Sequence, residues 1–131
     1  MKNGKLIILN SIFNQYPEIG LVYLFGSRVR GDVGPLSDYD FAVYFENADK
    51  KRMFEIKFSL QAKLSRSLKT DNVDVVLLNI AGSPELKYNI IKEGKIIFEK
   101  KESRITVEPK ILNEYFDFHA ILSKHNLTKA Q

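Results

Sequence analysis

Cysteine is absent from this 131-residue sequence, and histidine is limited to His119 and His125. No disulfide framework or thiolate metal site can be built, and a histidine-based zinc site is a poor fit. The two histidines stand six apart toward the C-terminus. They share no helical face and read as surface or partner-contact residues. Long apolar runs are missing too. The run Leu6 to Leu9 is too short for a membrane span and is followed by no small-residue cleavage site, so the cytoplasm is the default compartment. Lys and Arg number 20 against 16 acidic residues, a net charge of +4, with no dense basic block. That gives a mild preference for polyanionic partners and no charge-based case for nucleic acid as a direct substrate. Repeats, low-complexity tracts and long linkers are also lacking. Residues 1–131 therefore read as a single domain, large enough to bury a core unaided.

What is present is an alternation of helix-period and strand-period segments. Leu6, Leu9, Phe13 and Tyr16 fall at helical spacing, Ile8 and Ile12 widen the stripe, and Pro17 stops it. Leu21 to Phe25 is a short apolar run, expected as a buried strand that ends abruptly at Gly26-Ser27. Asp38 to Phe45 is expected as a second strand, aromatic and β-branched after its two aspartates. From about Asp49 to Leu68, the apolar spacing of Met53, Ile56, Leu60, Leu64 and Leu68 predicts a long helix with one face on a sheet. Val73 to Leu78 is expected as the third strand.

Ser83-Pro84-Glu85 opens another helix, with a capping serine, proline at the first helical position and an acid near the positive end of the dipole. Gly94 closes it, and Lys95 to Phe98 adds a short strand. A last helix is predicted from about Pro109 to Lys124, with Ile111, Tyr115, Phe118 and Leu122 on one face. Within it, Tyr115-Phe116-Asp117-Phe118 suits a binding surface and a core equally. The expected fold class is α/β, a small mixed β-sheet with helices packed on it.

The chemistry-bearing stretch is Gly26-Ser27, ten residues, Asp38-Tyr39-Asp40, and then Asp74 on the next strand. Residues two apart on a strand share a face, so Asp38 and Asp40 project together, about 6.5 Å apart at the backbone. Tyr39 and Phe41 then face the core. Asp74 is flanked by apolar Val73 and Val75, and if its strand pairs beside the second, three carboxylates meet at one end of the sheet. Such a cluster, with no basic partner nearby in sequence, would resist ionising together. A divalent cation resolves the repulsion, and oxygen-only ligands select Mg²⁺ or Mn²⁺. Two such ions can stabilise the attacking and leaving oxygens of an in-line phosphoryl displacement.

Gly26-Ser27, where a strand ends, offers close backbone approach, free N–H groups and a hydroxyl to a triphosphate. Arg28 and Arg30 follow, placed to neutralise phosphate charge. Asp32 reads as a turn residue, and Lys50-Lys51-Arg52 as a solvated helix start. A lone Gly-Ser is usually a turn, and a lone Asp-x-Asp usually a solvated edge. An acid embedded in an apolar strand is harder to dismiss, because an unpaired buried carboxylate is costly.

Gly26-Ser27, Asp38-x-Asp40 and the later Asp74 resemble the signature of the DNA polymerase β-like nucleotidyltransferase superfamily. The form Gly26-Ser27-Arg28-Val29-Arg30-Gly31-Asp32 through Ser37-Asp38-Tyr39-Asp40-Phe41 is similar to its smallest branch, the minimal nucleotidyltransferase (MNT) antitoxins encoded beside HEPN-domain toxins. The resemblance runs from about Leu21 to Phe98. It implies a polymerase β-like fold, with Gly26 and Ser27 on the triphosphate of ATP and Asp38 and Asp40 holding metal. Asp74 would help hold metal and deprotonate the acceptor hydroxyl.

The implied reaction moves AMP onto a tyrosine hydroxyl of a partner HEPN ribonuclease. Two alternatives stay open: transfer to a small-molecule hydroxyl, as in aminoglycoside nucleotidyltransferases, and a non-catalytic antitoxin acting by binding. Little beyond one helix follows Phe98, which favours an acceptor carried by a second macromolecule.

Overall fold

The computed structural model describes residues 3–26, 29 and 38–125. Among them are four helices and four strands, in the order α1 (Asn3–Phe13), β1 (Ile19–Phe25), β2 (Tyr39–Phe45), α2 (Lys50–Leu68), β3 (Val73–Leu77), α3 (Pro84–Glu93), β4 (Lys95–Glu99) and α4 (Ser103–Lys124). The sheet order is β3-β2-β1-β4. β1 runs antiparallel to both β2 and β4, while β2 and β3 are parallel. The expected mixed sheet with packed helices is what forms.

Strand alternation sorts side chains between two cores. Leu24, Tyr39, Phe41, Val43, Val73, Val75 and Leu77 point to one face and are buried beneath α1 and α2. There they meet Leu9, Ile12 and Phe13 of α1, and Met53, Ile56, Leu60 and Leu64 of α2. Leu21, Tyr23 and Ala42 point the other way and meet Ile90 of α3 with Val107 and Ile111 of α4. Asp40, between Phe41 and Tyr39, therefore faces the α3–α4 side. α3 and α4 sit over β1, leaving β3's part of this face uncovered: Asp74 is exposed and Val76 partly so.

The caps follow from residue chemistry. Asp49 accepts from the Arg52 N–H at 2.8 Å at the start of α2, and Ser83 accepts from the Leu86 N–H at 3.1 Å at the start of α3. Between α3 and α4, Tyr88 stacks on Tyr115 with 3.9 Å between ring centroids. His119 packs on Tyr115 with 4.3 Å between ring centroids, and Lys87 pairs with Glu114 at 2.6 Å. Tyr115 is thus an interhelical packing residue, while its neighbour Phe116 is exposed. The buried Tyr23 donates its hydroxyl to Glu108 and ties β1 to α4. Burial, then that hydrogen bond, pushes its pKa well above the usual tyrosine range, so it stays a neutral donor.

Several boundaries differ from expectation. α4 begins at Ser103, and Pro109 lies inside it. The cause is tertiary. Buried Ser103 donates to the Lys100 carbonyl at 2.7 Å, Glu99 accepts from the Arg104 N–H at 2.9 Å, and Val107 is buried on the sheet. Together these hold a turn that proline alone would disfavour. α1 starts and stops earlier than its apolar stripe, with Tyr16 buried beyond its end and Ile8 exposed. β1 begins at Ile19, and Asp38 stands just before β2.

Asn79 extends the β2–β3 pairing past the strand end. Its side-chain amide accepts from the Phe45 N–H at 2.8 Å and donates to the Phe45 carbonyl at 2.9 Å. Asn79→Ala should therefore cost about 1–3 kcal/mol, the penalty for orphaning partly buried backbone groups. A lower urea midpoint at unchanged slope is the expected readout. An unchanged midpoint would mean that water replaces the amide at no cost.

Candidate active site

The site forms where β1 ends and β2 begins. Antiparallel pairing sets Phe25 opposite Asp40, so Gly26, the next residue, arrives beside the Asp40 carboxylate. Gly26 has φ +83°, in the left-handed region. A Cβ built on it would collide with the Asp40 side chain. The Val29 N–H then donates to the Gly26 carbonyl at 3.1 Å, turning the chain sharply. Glycine is required here twice over, by backbone angle and by the carboxylate packed against it.

Parallel pairing of β2 with β3 makes Asp40 and Asp74 register partners. Their side chains share a face on strands about 4.8 Å apart. Asp38 is exposed and Asp40 half-buried. Both line a cleft of about 390 Å³, with Gly26 on the same wall. This is large enough for a nucleoside-sized ligand. Asp74 lies outside that cleft, on the open part of the sheet, lining a shallow depression with Phe54, Lys57 and Ile80. The expectation that Asp74 is a costly buried carboxylate is therefore corrected: β3 is an edge strand whose outer face α3 and α4 do not reach. Among the described residues, no three His, Cys, Asp or Glu side chains come close enough together to hold a metal ion. Two carboxylates share the cleft, and the third stands one strand over. Ser27, Arg28, Arg30 and Asp32 lie outside the described residues.

The opposite wall of the cleft is α3, which contributes Leu86, Asn89, Ile90 and Glu93. Sequence reasoning found only the capped ends of α3 and missed this face. The signal was its spacing, since these four positions fall on one side of a helix and two of them are polar.

Fold and cleft together define a nucleotide-handling enzyme scaffold of polymerase β type. The family model for polymerase beta nucleotidyltransferases matches residues 8–103, and the chain belongs to that family. The protein adenylyltransferase MntA of Aphanizomenon flos-aquae is 26% identical over 95 residues, 68% of this chain and 63% of that protein. The chain thus spans less than two thirds of that relative's length.

Among solved structures, a chain of a toxin–antitoxin crystallised with AMP-PNP superposes with a TM-score of 0.74 at 26% identity, covering 95% of this chain and 94% of its own. A chain from the complex of tri-AMPylated Shewanella oneidensis HEPN toxin with MNT antitoxin shares the fold. Its TM-score is 0.67 at 24% identity, over 92% and 93% of the two chains. No helix among the described residues is long and apolar enough to cross a membrane.

Proposed function

We propose that this chain is a single-domain, cytoplasmic protein adenylyltransferase that acts as an antitoxin, moving AMP from ATP to a tyrosine hydroxyl of a HEPN-domain ribonuclease. The observation that carries the reading is the cleft wall, where Gly26, Asp38 and Asp40 meet at the junction of β1 and β2. Similarity to a toxin–antitoxin chain crystallised with AMP-PNP supports ATP as the donor. Similarity to a protein adenylyltransferase supports a protein acceptor.

In this reading the triphosphate lies against the turn at Gly26, with the Ser27 hydroxyl and nearby backbone N–H groups as donors. Arg28 and Arg30 neutralise its charge. Asp38 and Asp40 are all-oxygen donors that fit Mg²⁺ or Mn²⁺, and Asp74, the register partner of Asp40 one strand over, would join them only when a bound ion draws the carboxylates together. Bound there, two such ions would stabilise charge on the attacking and leaving oxygens. The exposure of Asp74 suits its part. It stands on the uncovered half of the sheet, where a folded partner can present a side chain. Asp74 takes the hydroxyl proton as the tyrosine oxygen bonds to the α-phosphorus. The bond from that phosphorus to the bridging oxygen breaks, and pyrophosphate leaves.

Transfer should require the metal. Labelled ATP, the chain and a HEPN-domain partner protein are mixed with Mg²⁺, with and without excess EDTA. Label is expected on the partner in the first case and at background in the second. Undiminished transfer in EDTA would exclude the metal-dependent reading. Label passing only to a small molecule would exclude the protein acceptor.

A further inference from the structure

α3 carries polar chemistry that the phosphate end of the cleft does not need. Leu86, Asn89, Ile90 and Glu93 form its cleft-facing stripe. The helix is held firmly. Ser83 caps its start with Pro84 in the first turn, Tyr88 stacks on Tyr115 of α4, and Gly94 closes its end. A Cβ on Gly94 would strike the Ile90 carbonyl and come within 3.3 Å of the Leu24 carbonyl, so the helix end sits tight against β1.

Glu93 is thus an exposed carboxylate on a firmly held helix, lining a cleft whose far wall already carries Asp38 and Asp40. It does not complete a metal cage with them, since no three such side chains converge among the described residues. Nor does it suit contact with phosphate, where like charges repel. What remains of a nucleotide is neutral. A ribose offers hydroxyl donors, which a two-oxygen carboxylate accepts well. A base offers flat apolar faces, matched by Leu86 and Phe25 around the same cleft. Its polar edge suits an amide that both donates and accepts, as Asn89 does.

We propose that α3 is the nucleoside-reading wall of the cleft, with Glu93 accepting hydrogen bonds from the ribose hydroxyls and Asn89 meeting the base edge. The inference rests on the nucleotidyltransferase reading above and deepens it.

Calorimetric titration tests it with Mg²⁺ and three probes: AMP-PNP, its 2′-deoxy form and inorganic triphosphate. The wild type should bind AMP-PNP about ten-fold more tightly than the 2′-deoxy form, the size of one charge-assisted hydrogen bond. Glu93→Gln, which keeps a neutral acceptor and loses the charge, should lower that ratio and leave triphosphate affinity unchanged. Asn89→Ala should weaken both nucleotides equally and spare triphosphate. Melting curves confirm that the variants fold. A wild type indifferent to the 2′-hydroxyl overturns the proposal. So does a Glu93→Gln variant that keeps the ratio, or one that loses triphosphate in step with both nucleotides. A wild type that binds no nucleotide would instead overturn the nucleotidyltransferase reading itself, and this inference with it.

Discussion

Replacing Asp38 and Asp40 together by asparagine should abolish transfer of AMP to the partner while leaving a folded protein. The substitutions keep side-chain shape and remove both anionic donors from the cleft wall. Asp38 is exposed and Asp40 only half-buried, so little packing is disturbed. Removing two like charges from one cleft relieves their mutual repulsion in the metal-free fold. Catalysis is another matter, because charge neutralisation and positioning supply most of the acceleration in phosphoryl transfer. A loss of at least about 10³-fold is expected, comparable to removing a principal electrostatic stabiliser.

Intact-mass spectrometry of the co-expressed partner should show no added AMP, and a melting curve should match the wild type. A growth-rescue assay beside it separates modification from occlusion. If the double variant still rescues growth while the partner stays unmodified, the chain neutralises by binding and the carboxylates are incidental to that role.

Much of the scaffold for this site was legible in the sequence, for local reasons. The apolar runs around Val22, Val43 and Val75 are too short for helices and became strands. Ser83 signalled the start of α3 through a side chain that can accept from the helix's own N–H groups. Alternation placed Tyr39 and Phe41 in the core and Asp40 opposite them. What stayed hidden depends on contacts between distant segments. The start of α4 is set by Ser103 meeting Lys100 and Glu46, and its own residues, with Pro109 among them, argue for a later start. The exposure of Asp74 follows from β3 lying at the sheet edge and from α3 and α4 sitting over β1. Flanking valines cannot report either fact. The capped ends of α3 were plain, and its spacing marks one face, yet nothing local says that Asn89 and Glu93 line the same cleft as Asp40. That juxtaposition requires β1, β2 and α3 to be assembled first.

Gly26→Ala should damage both stability and the site, and it tests whether the turn and the carboxylate act as one device. Alanine at φ +83° costs about 1–2 kcal/mol in backbone strain alone. Its Cβ must also displace the Asp40 side chain. Relief can come only by unwinding the turn or by swinging Asp40 out of the cleft, and either spoils the phosphate end. Binding of AMP-PNP with Mg²⁺ should weaken by about ten-fold or more, and the melting temperature should fall by several degrees, roughly 2–8 °C per kcal/mol for domains near this size.

Gly82→Ala is the control, since a Cβ there meets nothing within 4 Å; it should change neither. The two parts of the effect can be separated in an Asp40→Ala background, where the collision is gone but the strained angle remains. The stability cost of Gly26→Ala should then shrink, giving a coupling of about 0.5–3 kcal/mol between the two positions. A cost unchanged by removing the carboxylate would mean that backbone angle alone demands glycine here, and that the turn and Asp40 are independent neighbours.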